Sequence, residues 1–72
     1  MDKSIIGKNA GIVWNTLNNN EPWDYQALKN ATGLSDRDLN AAIGWLARED
    51  KIDFDMDEHS DRLFLSINVY IG

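Results

Sequence analysis

The sequence predicts an α+β domain in which three helices precede a β-hairpin, and three observations carry that reading. Apolar residues recur at three- and four-residue intervals through the first two thirds of the chain, then at every second residue from Ile52 onward. Two capping residues, Asp24 and Ser35, and one well-placed glycine, Gly33, divide the helical part into segments. The chain has 72 residues, which fits one domain over 1–72 with one modest core.

The first helix is predicted over residues 4 to about 19, with Ser4 as its N-cap. Ile6, Ala10, Val13 and Leu17 fall on one stripe of it. Asn18-Asn19-Asn20 ends the helix, and Pro22 keeps the preceding residue extended. Trp23 then forms a short extended anchor. Asp24 caps a short helix over Tyr25 to Thr32, with Leu28 and Ala31 expected inward. Gly33 stands where a helix C-cap needs positive φ, and Leu34 plugs the turn. Ser35, with Asp38 three residues on, opens a third helix in a pattern close to a capping box. That helix runs to about Glu49 and buries Leu39, Ala42, Ile43 and Leu46.

The period then becomes two. Ile52, Phe54 and Met56 are expected inward, and Asp53, Asp55 and Asp57 outward. Glu58-His59-Ser60-Asp61 makes a polar turn. A second strand is expected over 62 to 71, with Leu63, Leu65, Ile67, Val69 and Ile71 on one face and Phe64, Ser66, Asn68 and Tyr70 on the other.

This order is the layout of a three-helix winged helix-turn-helix with a C-terminal β-hairpin wing. The stretch Ala31-Thr32-Gly33-Leu34-Ser35 supplies what two helices at a steep angle require: a small residue, a bend, an apolar plug and a cap. A generic αα-corner followed by a hairpin is the alternative. Ile6-Gly7 with Ala10-Gly11 and Trp14, then Ala42-Ile43-Gly44-Trp45-Leu46-Ala47-Arg48-Glu49 and Lys51-Ile52, resemble a small family of stand-alone winged helix-turn-helix proteins from Bacteroides-type gut bacteria. The resemblance covers nearly the whole chain. It implies the fold and implies no enzyme, cofactor or target; DNA binding follows from it only through the fold class.

Composition narrows the function. With no cysteine, disulfides and thiolate metal sites are excluded. Twelve acids against seven Lys and Arg give a net charge of −5, which argues against a general polyanion binder. No apolar run has signal-peptide or membrane-span length, so the expected location is cytoplasmic, with no membrane contact.

If DNA is bound, the reader is the third helix, about residues 36–49. With its apolar face inward, its outward side carries Arg37, Asn40, Ala41, Gly44 and Arg48. Arg37, Asn40 and Arg48 are the candidate DNA contacts, because Arg pairs with guanine and Asn with adenine through two hydrogen bonds. Against this, Asp36 and Asp38 open the helix, and from Asp53 to Asp61 there are acids and no Lys or Arg where a wing would touch phosphate.

No catalytic, cofactor or metal residues are expected. Asp53, Asp55 and Asp57 begin like a calcium loop, but Glu58 and Phe64 stand where that loop needs glycine and a bidentate Glu. A charged solvent face that discourages edge pairing is the simpler reading of these acids. His59 is the single histidine, too few for a zinc site, and Ser60 and Asp61 beside it form no nucleophile–base chain. No small-molecule substrate is indicated.

Two features point to partners instead. Gly7 and Gly11 each cost a helix about 1 kcal/mol relative to Ala, and they share a side with Trp14. They either pack against the protein's own hairpin or accept a partner. The C-terminal strand is long for so small a domain, and its second half lacks an obvious intrachain strand except near Trp23. A homodimer is therefore expected, with Ile5, Gly7, Gly11, Ile12, Ile67, Val69, Tyr70 and Ile71 as contacts. The expected function is a non-catalytic module acting by protein–protein contact, including homodimerisation; the alternative is a DNA-binding domain like those of transcription regulators.

Overall fold

The computed structural model describes residues 2–18, 21–56 and 63–68. Its elements run α1 (Lys3–Leu17), β1 (Trp23–Asp24), α2 (Tyr25–Thr32), α3 (Asp36–Arg48), β2 (Ile52–Met56) and β3 (Leu63–Ile67). This is the three-helix, α+β winged helix-turn-helix arrangement, with β2 and β3 as the wing. The expectations for Val69, Tyr70 and Ile71, and for Asp57, Glu58, His59 and Arg62, lie outside the described residues, as does the inward placement of Met56.

The helix ends follow local chemistry. α1 starts one residue earlier than expected, and its N-cap is Asp2 rather than Ser4. The Asp2 carboxylate accepts from the Ile5 N–H at 3.0 Å and from the Ser4 hydroxyl at 2.6 Å. A charged acceptor wins the cap because it satisfies two donors and favours the positive helix end. Asp24 caps α2 by accepting from the Gln26 N–H at 2.7 Å. Gly33 closes α2 at φ 71°, in the left-handed region that side chains resist. Ser35 caps α3 through the Asp38 N–H at 3.2 Å. The capping box is only half made: Asp38 Oδ1 is buried and accepts no hydrogen bond, from the Ser35 N–H or any other donor among the described residues.

The core lies where α1, α2 and α3 meet the central strand. Ala10, Val13, Leu17, Leu28, Leu39, Ala42, Ile43, Leu46, Ile52 and Leu65 are buried together. Ile6 is half-buried on the same α1 stripe, and Leu34 packs on the core from the turn. Ala31 is exposed, contrary to expectation. On an eight-residue helix only one narrow stripe can turn inward, and it runs through Tyr25, Leu28 and Thr32 at intervals of three and four.

The sheet has order β1-β3-β2, antiparallel throughout. β3 is therefore central. Trp23 pairs with Leu65 and Asp24 with Phe64, so the short Trp23 strand lies against Phe64 and Leu65 of β3. On the other side β2 pairs from Ile52↔Ile67 to Met56↔Leu63. Phe54 departs from its expected burial. It shares a face with buried Leu65, its cross-strand partner, yet is 49% exposed. β2 is an edge strand, and the core beneath it reaches Ile52 but not Phe54.

Candidate functional site

Two surfaces carry the residues singled out by the sequence. The first is a cleft between α1 and α3, lined by Gly7, Ala10, Gly11 and Trp14 from α1, Trp45 and Leu46 from α3, and Lys51 just before β2. Its volume of about 200 Å³ is below the range of pockets that enclose a drug-sized ligand; it suits one side chain or a length of backbone. Among the described residues, a Cβ added at Gly7 or Gly11 would meet nothing within 4 Å.

Two tryptophans wall the cleft. Trp45 is 45% exposed. Trp14 is half-buried, and the Lys51 ammonium stands 5.8 Å from its ring centroid, within reach of the ring's negative face. The glycine side of α1 was visible in the sequence as a feature off the core. What brings it together with Trp45 is the packing of α1 on α3, which no local pattern announces. Ile5 and Ile12 are exposed, but they do not line this cleft. They lie about 130° round α1 from Gly7 and Gly11, so the expected joint contact surface is two separate ones. Ile67 is half-buried against the core through the pairing of β3 with β2.

The second surface is the outward side of α3. Arg37, Gly44 and Arg48, at intervals of seven and four, form one exposed stripe opposite the buried Leu39, Ala42 and Leu46. The Arg37 side chain is 76% exposed, and its Nε lies 3.6 Å from the Asp38 carboxylate, beyond hydrogen-bond range. Asn40 is placed differently. The Tyr25 hydroxyl sits 2.8 Å from the Asn40 amide oxygen and 3.0 Å from the Asp36 carboxylate. A phenol has one proton, so it donates to charged Asp36, and the Asn40 amide fits best turned over, its nitrogen donating to Tyr25. Lys29 completes the group with an ion pair to Asp36 at 3.1 Å.

This network was not legible in the sequence, since its members lie on two helices and up to fifteen residues apart. It alters the electrostatics of the helix start. The Lys29 ammonium, with the Tyr25 hydroxyl second, holds the Asp36 carboxyl below the usual carboxylate range. Partial burial, with Asp36 second, pushes the Tyr25 phenol up. Asp36 is thus matched by a cation rather than projecting an uncompensated charge, while Asn40 would have to leave Tyr25 to meet a base edge.

Among the described residues no group of three or more His, Cys, Asp or Glu converges as a metal site. No helix among them is long and apolar enough to cross a membrane.

Comparison with known proteins agrees with this architecture. No curated protein matches the chain. Among solved structures, protein BT2368 from Bacteroides thetaiotaomicron, determined by solution NMR, is 33% identical with a TM-score of 0.82, over 97% of this chain and 83% of that one. The winged helix-turn-helix domain family DUF2582 matches residues 1–66. With that match over most of its length and the helix-turn-helix and wing both in place, the chain belongs to the DUF2582 winged helix-turn-helix family.

Proposed function

We propose that this winged helix-turn-helix domain is a non-catalytic interaction module that self-associates, with a second copy covering the α1–α3 cleft. The observation that carries this reading is the open glycine floor at Gly7 and Gly11. Two helix-weakening residues stand in the cleft beside Trp14 and Trp45, and among the described residues nothing packs within 4 Å of where their Cβ atoms would be. The chain also leaves β3 next to the cleft. Asn68 donates from its backbone to the Lys51 carbonyl at 2.9 Å and from its amide to the Asp50 carbonyl at 3.0 Å. Sedimentation equilibrium over a wide concentration range tests this. A mass rising above 8.2 kDa with concentration, and a Gly11→Leu variant that stays at 8.2 kDa, is the expected result. A mass constant at 8.2 kDa up to NMR concentrations refutes it.

A second reading, DNA binding through α3, is favoured by the fold family and by the exposed Arg37–Gly44–Arg48 stripe. The engagement of Asp36 by Lys29 removes part of the charge objection. Such binding should weaken steeply with salt, through counterion release, and be lost in the Arg37→Ala, Arg48→Ala double variant. Equal affinity in that variant would move the site off α3.

A further inference from the structure

We propose that the open edge of β2 takes a basic extended segment of a partner protein as an added strand. Three features of the edge converge on that occupant. First, its backbone is available. The Asn68 N–H donates to the Lys51 carbonyl, so residues 51 and 68 face each other as a hydrogen-bonded pair. Such pairs alternate along an antiparallel ladder, which makes Asp53↔Ser66 and Asp55↔Phe64 bonded pairs and turns the N–H and C=O of Ile52 and Phe54 away from β3. Among the described residues no strand lies beyond β2 to meet them.

Second, Phe54 is a half-exposed aromatic on the core-side face of that edge, where a strand laid alongside would cover it. Third, the opposite face carries Asp53 and Asp55, both exposed, with no Lys or Arg from Ile52 to Met56. Two residues apart on a strand is about 7 Å, the spacing of alternate side chains on any added strand. A segment with Lys or Arg at every second position and apolar residues between them would set its cations on Asp53 and Asp55 and an apolar side chain on Phe54. Main-chain bonds would supply affinity and alternate side chains specificity. The same carboxylates repel a second copy of β2, so the edge resists self-pairing while admitting a partner of opposite charge. This site is separate from the α1–α3 cleft and does not depend on self-association there.

The test is a titration of isotope-labelled protein with a capped octapeptide of alternating lysine and valine, followed by backbone amide shifts. Shifts and slowed amide exchange are expected at Ile52 and Phe54, with half-saturation below about 1 mM at low salt. The Asp53→Asn, Asp55→Asn double variant should keep its dispersed spectrum and bind about fivefold more weakly, the loss expected for two exposed ion pairs. An alternating lysine–proline octapeptide has the same charge but lacks every second N–H, and should bind markedly less. Absence of shifts in 52–56, equal binding by the double variant, or equal binding of the proline peptide would each overturn the proposal.

Discussion

Asp36 shows how much a single side chain can rearrange in so small a domain. It begins α3, where a carboxylate complements the helix dipole, and it also ties α3 to α2 through Lys29 and Tyr25. Its carboxyl is held below the ordinary range, so the folded state binds that proton less readily than the unfolded chain. The resulting stability is fully present above the unfolded aspartate value of about 3.9 and is lost as pH falls through the lower folded value. Asp2, lowered by the Ser4 hydroxyl and then by the Ile5 N–H, acts in the same direction. The Asp36 side-chain carbonyl resonance should therefore titrate below the ordinary range, and Lys29→Met should move its midpoint upward. An unmoved midpoint would mean that the ion pair is absent in solution. A second pair of residues separates burial from strand register. Leu65 is fully buried, so Leu65→Ala should cost about 2–5 kcal/mol, enough to unfold much of a domain this size. Phe54→Ala should cost only about 1–2 kcal/mol, because half of the ring is already in water. Urea denaturation of both variants checks the contrast.

At the scale of the element, the glycines divide into two kinds with opposite expected behaviour. Gly33 ends α2 in the left-handed region, so Gly33→Ala should destabilise by about 1–2 kcal/mol although its Cβ would meet no atom. Gly11 lies inside α1 with open space around it and no positive φ, so Gly11→Ala should stabilise the isolated fold by about 1 kcal/mol. Thermal melts at low concentration measure both. A destabilised Gly11→Ala would show that the residue is needed within the chain. The elements themselves were largely legible, because caps and periodicity are local. The Gly33 bend and Asp24 and Ser35 caps act within a few residues, and each is realised in the structure. The cap of α1 differs from the expected one because Asp2 and Ser4 are both good caps; Asp2 takes the role by accepting from both the Ile5 N–H and the Ser4 hydroxyl.

On the scale of the molecule, the fold leaves much apolar surface uncovered. Trp45, Phe54, Ile5 and Ile12 are all exposed, on more than one side. Self-association over the α1–α3 cleft predicts a melting midpoint that rises with protein concentration, since a dimer gains stability by mass action. The Gly7→Ala, Gly11→Ala double variant should lose that concentration dependence while gaining intrinsic stability, a combination that simple damage to the fold would not produce. A wild-type midpoint independent of concentration would count against the dimer.

The order and kind of the elements, and all but Ala31 of the helix residues expected inward, follow from the sequence. Val13, Leu17, Leu28, Leu39, Ala42, Ile43 and Leu46 are buried where the 3.6-residue period put them. That success has a local cause: side-chain direction follows from backbone geometry a few residues long. Tertiary structure alone decided which element covers which. It made β3 central by bringing Trp23 against Leu65, and left Phe54 beyond the reach of the core. It set Trp45 across from Gly7 and Gly11 and drew Tyr25 to Asp36 and Asn40. Those outcomes depend on the angles at which helices and sheet pack. Many side chains distant in sequence set these angles together, so no short stretch of the chain encodes them.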